Sequence, residues 1–378
     1  MRLLAVVMSV AVAGGGAVWA QPQRTMSERK TAPAPVSTAV DKGARWLASV
    51  QGADGGWGQD GGQASSARPG ERLESSGNDV ANTAVAALAL LQAGRQYQPQ
   101  VERALAFVLQ HIESSPADGL AITDRQGTQI QRKLGPCIDT FLSSMLMSQI
   151  DGRASTPALN ARVRKALQKT VAKIEKHQQS DGSWNIAGGW APVLGTSMAS
   201  RSLFEAKSRG VAVDATVLKR AENYTLSALN ASPPLAARGA AGGVVAGRLA
   251  AASPAAPTEA AGVALYQSAQ ALEQLSRTAA DRAQNAEQIG AIQSRLADAA
   301  FVGGYGSMGG EEFFSYLNIS DSMKRVGGDA WSKWHADITQ KILGLQNSDG
   351  TWAGHHCITG RVAMTSAAIL NLTVDRAR

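Results

Sequence analysis

Metal-binding and nucleophilic side chains concentrate in two short stretches of the sequence. Cys137 and Asp139 lie in one stretch, and His355, His356 and Cys357 lie in the other. Thiolate, imidazole and carboxylate groups are the usual zinc ligands, so Cys137, His356 and Cys357 are the candidate metal ligands. Three consecutive side chains diverge, however, which disfavours a single ion bound by the second stretch. We therefore predict no metal or other cofactor, with zinc as the alternative.

Two adjacent carboxylates, Glu311 and Glu312, precede Tyr316 within one predicted helix. Acidic residues in a first turn stabilise a helix through its macrodipole, and this structural interpretation is favoured. The chemical interpretation makes these three residues, together with Asp139, the catalytic candidates. Such carboxylates could act as acid and base on a glycan.

Ligand-binding candidates lie beside the second stretch. Arg361 begins the last predicted inner helix and is the preferred site for a bound anion, although a surface arginine is the favoured interpretation. His355 and His356 are the other candidates. These side chains require a scaffold that brings several helix starts together.

An internal repeat predicts that scaffold. A helical stretch followed by Gln-x-x-Asp-Gly-x-Trp occurs three times, which indicates stacked helical units. Gln and Asp can hydrogen-bond the backbone of the turn, Gly can adopt positive φ, and Trp can cover the helix end. We interpret all members as structural: Gln51, Asp54, Gly55 and Trp57; Gln178, Asp181, Gly182 and Trp184; Gln346, Asp349, Gly350 and Trp352.

Two classes of predicted helix alternate along the chain. The charged class suits an outer ring and covers about 38–51, 98–112, 160–178, 214–230, 279–300 and 330–346. The class rich in small residues suits an inner ring and covers about 79–93, 138–150, 196–207, 258–275, 311–325 and 361–373. Six pairs that close on themselves form an all-α (α/α)6 toroid. We expect residues 38–378 to form one such domain.

The connections predict where a ligand binds. Links from an outer to an inner helix are long, whereas links from an inner to the next outer helix are short. In an alternating array all long links lie on one rim, and long loops on a rigid scaffold commonly carry binding sites. We therefore expect a ligand or protein partner at the long-loop rim.

The stretch Lys42–Trp57 resembles the QW motif of triterpene cyclases, also called the prenyltransferase and squalene oxidase repeat. Lys42, Gly43, Trp46 and Leu47 fill its helical half, and Gln51, Gly55 and Trp57 its turn. The resemblance implies the α/α toroid of the terpenoid cyclase and protein prenyltransferase superfamily.

The chemistries of that superfamily are not matched by this sequence. Hopene-type cyclases use an Asp-x-Asp-Asp acid and an aromatic cavity that stabilises carbocations, and the chain has no such run. Aromatic residues make up only 5% of the chain. Protein prenyltransferases hold zinc with Asp-x-Cys and a distant His, whereas Cys137-Ile138-Asp139 has the reverse order. Whether the protein is an enzyme is left open.

The remaining sequence features concern compartment and partners. Residues 1–20 have the pattern of a signal peptide, and 21–37 that of a flexible leader, so we expect export to a bacterial periplasm or the extracellular space. The net charge of +7 is scattered, which disfavours nucleic-acid binding. We expect a monomer without a transmembrane anchor. Export permits a Cys137–Cys357 disulfide, but two unpaired thiols are favoured because a repeat lies between theirs.

These observations lead to two main hypotheses for function. The first is a non-catalytic binding or scaffolding toroid. The second is an enzyme that acts on a prenyl or isoprenoid substrate in the central cavity, and a glycan-processing enzyme is the weaker third.

Overall fold

The computed structural model describes residues 35–61, 77–186, 192–231, 263–303, 310–355 and 357–376. Residues 34–378 form one compact unit. The predicted signal peptide and His356 lie outside the described residues, as does most of the predicted leader. None of the described helices combines the length and apolar character needed to cross a membrane.

Fifteen α-helices follow one another in the described residues. They are α1 (Val36–Ser49), α2 (Val80–Ala93), α3 (Gln98–Ser114), α4 (Gln129–Leu134), α5 (Ile138–Ile150), α6 (Pro157–Lys176), α7 (Pro192–Ser208), α8 (Ala215–Ala231), α9 (Val263–Leu275), α10 (Ala279–Gln284), α11 (Ala286–Leu296), α12 (Ala299–Val302), α13 (Gly310–Val326), α14 (Gly328–Leu343) and α15 (Arg361–Leu372). Short 3₁₀ turns lie at Arg95–Tyr97 and Val374–Arg376. The described residues contain one isolated β-bridge, between Trp57 and Asp79, and no longer strand.

The inner ring consists of α2, α5, α7, α9, α13 and α15. Each of these helices packs on the next, and α15 packs on α2, so the ring closes. Small side chains allow the close approach: α2 is largely Ala, Val and Leu, and every residue from Val80 to Leu90 is buried.

The outer ring consists of α1, α3, α6, α8, the group α10–α12 and α14. These helices bury one stripe each, such as Val101, Leu105, Val108 and Ile112 on α3. The last outer helix, α14, contacts both α15 and α1. The predicted (α/α)6 toroid is therefore confirmed.

The fifth outer helix differs from the prediction. A single helix was expected over about 279–300, but the segment is divided into α10, α11 and α12. Asn285 ends α10 by donating its side-chain amide to the Asp281 carbonyl, and the Asp298 carboxylate accepts from the Ala300 amide to begin α12. Short polar side chains of this kind compete with helical hydrogen bonds and so interrupt the helix.

Candidate functional site

The three Gln-x-x-Asp-Gly-x-Trp turns share one hydrogen-bond pattern. The Gln51 amide donates to the Gly55 carbonyl at 2.8 Å and to Gln100 in α3 at 2.9 Å, and the Trp57 indole donates to Leu47 at 2.8 Å. In the other two turns, Gln178 donates to the carbonyls of Gly182 and Val217, and Gln346 donates to those of Gly350 and Ala39. The Trp184 indole donates to the Ile174 carbonyl, and the Trp352 indole to the Ile342 carbonyl. Each turn thus joins its own outer helix to the next one. We call residues 51–57, 178–184 and 346–352 the Gln–Trp crossovers.

The glycine of each crossover is required by geometry. Gly55, Gly182 and Gly350 have φ of 88°, 93° and 89°. A Cβ at Gly55 would lie 2.5 Å from the Arg103 carbonyl oxygen, and one at Gly182 would lie 2.3 Å from that of Arg220. The backbone of the turn therefore packs directly against the next outer helix. The Gln and Trp side chains of the crossovers are accordingly engaged in holding the outer helices together.

Asp139 lies in the first turn of α5 beside a second carboxyl, Asp79, which caps α2. Asp139 accepts from the Ala81 amide at 3.1 Å and from the Gln131 side chain at 2.7 Å. Asp79 accepts from the backbone and side-chain amides of Asn82, both at 2.8 Å. Both aspartates are almost completely buried. Two adjacent helix starts therefore bring together a buried carboxyl pair.

Burial disfavours the charged form of both aspartates. It raises the pKa of Asp79 to about 6, against the hydrogen bonds from Asn82. Burial, and then the charge of Asp79, raises the pKa of Asp139 to about 7. Because these values lie near neutrality, the pair can hold or release a proton at physiological pH.

Asp79 was missed by the sequence reasoning as a site residue. A signal was present, since Asp79-Val80-Ala81-Asn82 begins an inner helix and keeps the first residue of the Asp-x-Asp-Asp pattern. The third and fourth positions of that pattern are Ala81 and Asn82 here, so two of its three carboxylates are replaced.

A second pair of carboxyls, Glu311 and Glu312, lies in the first turn of α13. Both residues are fully buried. The Tyr266 hydroxyl donates to Glu312 at 3.3 Å. The Glu311 carboxyl interacts with the Cys357 thiol and with its own backbone amide. Burial raises the pKa of Glu311, and the neighbouring Cys357 thiol opposes this shift.

The cysteines are unpaired thiols in this structure, as the sequence favoured. Burial and the charge of Asp139 raise the pKa of Cys137 to about 11. Burial and the charge of Glu311 raise the pKa of Cys357 to about 12, and Cys357 has an unusual φ of 62°. Among the described residues no three potential ligands are close enough to hold a metal ion. Protonated thiols of this kind are poor zinc ligands, and His355 is exposed.

Arg361 and Tyr316 have structural contacts. The Arg361 guanidinium lies 3.4 Å from both Asp60 and Asp349 and 5.3 Å from the centre of the Trp46 ring. The Tyr316 hydroxyl donates to the Val302 carbonyl at 2.7 Å, which directs it toward the outer layer. The structure therefore does not bring Tyr316 and Arg361 to one site with Asp139.

The opposite end of the inner ring carries a polar network that the sequence reasoning missed. Arg201 hydrogen-bonds to Glu205, Asn318 and Asp321, and Arg277 pairs with Glu273 at 2.8 Å. A cavity of about 170 Å³ on the ring axis is lined there by α2, α5, α7, α13 and α15. The signal was an isolated arginine within a helix otherwise rich in small residues, PVLGTSMASRSLFEAKS.

Comparison with known proteins gives a partial match in sequence. A family model described as the squalene-hopene cyclase C-terminal domain matches residues 25–120, which include α1, α2 and α3 and make up less than half of the chain. No curated protein matches the sequence.

Comparison with solved structures gives matches at low identity. Two of them are substrate-bound variants of the type II terpene cyclase MstE from Scytonema, in complex with geranylgeranyl dihydroxybenzoate. Each is 13% identical to this chain and covers 90% of it and 97% of its own length, with TM-scores of 0.34 and 0.36. The predicted resemblance to the terpenoid cyclase and prenyltransferase superfamily is confirmed by the sequence match over residues 25–120.

Proposed function

We propose that the protein is a non-catalytic binding toroid that kept the cyclase-like ring and lost the cyclase chemistry. The observation that carries this proposal is the filled centre of the ring. The inner helices α2, α13 and α15 are buried over nearly their whole length, including the faces opposite the outer ring. The axial cavity of about 170 Å³ is smaller than the roughly 300 Å³ of the smallest typical ligand pockets.

The acid motif gives independent support. A cyclase must protonate its substrate with a carboxyl that reaches the cavity. Asp79 instead accepts from the Asn82 amide at the start of its own helix. Asp139 accepts from the Ala81 amide at the start of the neighbouring α2 and from the Gln131 side chain. Residues 81 and 82 carry no carboxyl at all. A cyclase also needs a row of aromatic rings that stabilises carbocations along its substrate. The helices α2, α5 and α15 do not provide such a row, because they carry mainly Ala, Ser, Thr and Leu side chains.

A turnover assay tests the proposal. The mature chain is incubated with squalene and with geranylgeranyl dihydroxybenzoate, and products are analysed by mass spectrometry and chromatography. We expect recovery of both compounds unchanged. A cyclised product that forms with the wild type, and is lost in an Asp139→Asn variant, would contradict the proposal.

The alternative is acid catalysis by the Asp79–Asp139 pair. The specific observation in its favour is the raised pKa of both groups, which leaves a proton available near pH 7. The same assay decides between the two functions. If the pair is the catalytic acid, the wild type should form product, and the amount of product should change with pH as this pair ionises.

Export is part of the proposal. A signal peptide over residues 1–20 would leave Gln21 as the first residue of the mature protein. N-terminal sequencing of the protein secreted by a bacterial host should begin there. A chain that retains Met1 would exclude export by this route. The ligand or partner of the mature protein is placed at the long-loop rim, as the lengths of the connections suggest.

A further inference from the structure

A cavity lies outside the ring axis, between the broken fifth outer helix and α14. It has a volume of about 370 Å³, which is the room of about a dozen water molecules. Its floor consists of Leu296, Met323, Trp334 and Ile338, all buried. Residues of α11 and α12 border the cavity on one side, and Met323 of α13 borders it below.

One face of α14 supplies half of the residues that line the cavity. Ala330, Lys333, Trp334, Asp337, Ile338 and Lys341 line the cavity. Their spacing of three and four residues places them on one stripe, which runs roughly 16 Å along the helix at 1.5 Å per residue. Such a stripe normally packs against a neighbouring helix and is apolar. Here it carries a lysine at each of two positions, which is unexpected for a purely structural contact.

Lys341 is the polar group at one end of this cavity. Its ammonium donates to the Tyr316 hydroxyl at 3.2 Å and lies 5.3 Å from the centre of the Tyr316 ring. Tyr316 is fully buried, and its hydroxyl donates to the Val302 carbonyl. Among the described residues no carboxylate lies within salt-bridge distance of Lys341.

The surroundings of Lys341 are unfavourable for an isolated charge. Burial lowers the pKa of its ammonium, and the more distant Glu312 carboxylate only opposes this shift. Asp337, one turn away on the same stripe, is exposed. An ammonium without an anionic partner in an apolar space is costly, and an anionic group of a ligand would offset that cost.

From this geometry we propose that the cavity binds an amphiphile with an apolar chain and an anionic head group, with the head at Lys341 and the chain over Trp334 and Ile338. A fatty-acid carboxylate and a prenyl phosphate share this chemistry. The site is separate from the ring axis, so it does not rest on the proposed function.

Isothermal titration calorimetry with the full mature chain tests the site. The probes are dodecanoate and farnesyl monophosphate below their aggregation concentrations, with dodecanol and farnesol as the uncharged controls. We expect at least one anionic probe to bind, and to bind about tenfold or more tightly than its alcohol. The tighter of the two anions identifies the head group. If neither anion binds, or if the alcohols bind equally well, the proposal is overturned.

Matched variants locate the head group. Lys341→Met keeps the length of the side chain and should weaken binding of the anion about tenfold or more. Lys333→Met removes the same charge from the exposed part of the stripe and should change affinity by less than about threefold. The reverse order of effects would overturn the assignment to Lys341.

A second variant keeps the test valid if Lys341→Met does not fold. Ala297 is exposed at the edge of the cavity, so Ala297→Trp can fill the space without disturbing the buried core. It should abolish binding of both anions while the melting temperature is kept. Binding that persists in Ala297→Trp at wild-type affinity would place the ligand elsewhere and overturn the proposal.

Discussion

The fifth repeat (α10–α12 and α13) and the sixth repeat (α14 and α15) connect their outer and inner helices in different ways. In repeat six, α14 is continuous, and its crossover is held by Gln346 and Trp352 against the carbonyls of Ala39 and Ile342. In repeat five, the outer segment is broken at Asp298, and residues 297–309 contain no Gln-x-x-Asp-Gly-x-Trp. The cavity of about 370 Å³ lies beside the broken segment.

The difference indicates how this ring separates stability from function. A Gln–Trp crossover ties an outer helix to the next one and leaves little freedom at that end. Where the crossover pattern is missing, an outer helix can break without opening the inner ring, because inner helices pack on each other independently. The second and fourth repeats also lack a crossover but keep continuous outer helices, α3 and α8. Only the fifth repeat, in the described residues, has both a missing crossover and a broken outer segment, and there we place the amphiphile.

The largest effect is expected at the crossover that joins the two ends of the chain. Trp352 is fully buried, so Trp352→Ala should lower the free energy of unfolding by about 3–5 kcal/mol. Trp331, half-buried on α14 and stacked on His335, is the control, and Trp331→Ala should cost less than about half as much. Urea unfolding measures both. Equal losses would show that the crossover has no special role.

A glycine pair sharpens the comparison. Gly182 has positive φ, and a Cβ there would meet the Arg220 carbonyl. Gly182→Ala should therefore lower the free energy of unfolding by roughly 1–3 kcal/mol. Gly290 lies inside α11 of repeat five with open space around it, so Gly290→Ala should stabilise by about 0.5–1 kcal/mol. Thermal unfolding compares the two variants. A stabilised Gly182→Ala would contradict the geometry of the crossover.

The pH dependence of stability tests the buried pair at the start of α2 and α5. The folded-state pKa values of Asp79 and Asp139, about 6 and about 7, lie above the ordinary value of 3.8. The folded protein therefore binds these protons more tightly than the unfolded chain does. Their contribution to the free energy of unfolding is complete below pH 3.8 and is lost as pH rises to about 7. The contribution should fall by up to about 1.4 kcal/mol per pH unit for each proton.

Asp79→Asn is the matched variant for this measurement. The substitution removes one ionisable group and keeps the cap of α2 through the Asn oxygen. It should reduce the slope of the free energy of unfolding against pH between about pH 4 and pH 7. Urea unfolding at several pH values gives the slope. A slope that is unchanged in Asp79→Asn would mean that the pair is not protonated in the folded state.

The smallest effect is expected at Glu311. Burial raises the pKa of Glu311, and Glu311→Gln keeps the shape of the side chain but removes its ability to ionise. We expect a change in stability within about 1 kcal/mol, because the glutamine side chain keeps an oxygen that can accept a hydrogen bond. A loss of several kcal/mol, measured by urea unfolding, would show that Glu311 carries a charge that the fold requires.

The sequence predicted the ring well because its information is periodic. The helix expected over about 79–93 is Val80–Ala93, and the one over about 361–373 is Arg361–Leu372. Small residues on every face indicate an inner helix, and this signal needs no knowledge of neighbours. The Gln–Trp turns likewise contain both partners of their local hydrogen bonds within seven residues, as in Gln51 to Gly55.

The candidate site could not be predicted in the same way. Asp79 and Asp139 come together because α2 and α5 are neighbours in the ring. Lys341 lines a cavity together with residues of α11, α12 and α13, which are distant from it in sequence. Tyr316 is the opposite case: its place in the sequence made it a catalytic candidate, but its hydroxyl donates to the Val302 carbonyl in the outer layer. Contacts between separate helices decide these properties, and no local pattern encodes them.

We propose that the axis of the inner ring, with its cavity of about 170 Å³, is too small for a polycyclic substrate and carries out no cyclisation. A crystal structure of the mature protein, grown with saturating squalene, tests this claim most directly. We predict that the axis between α2 and α13 contains no squalene, and that Tyr266 still donates to Glu312. Electron density for squalene on the axis, beside Asp139, would contradict the account.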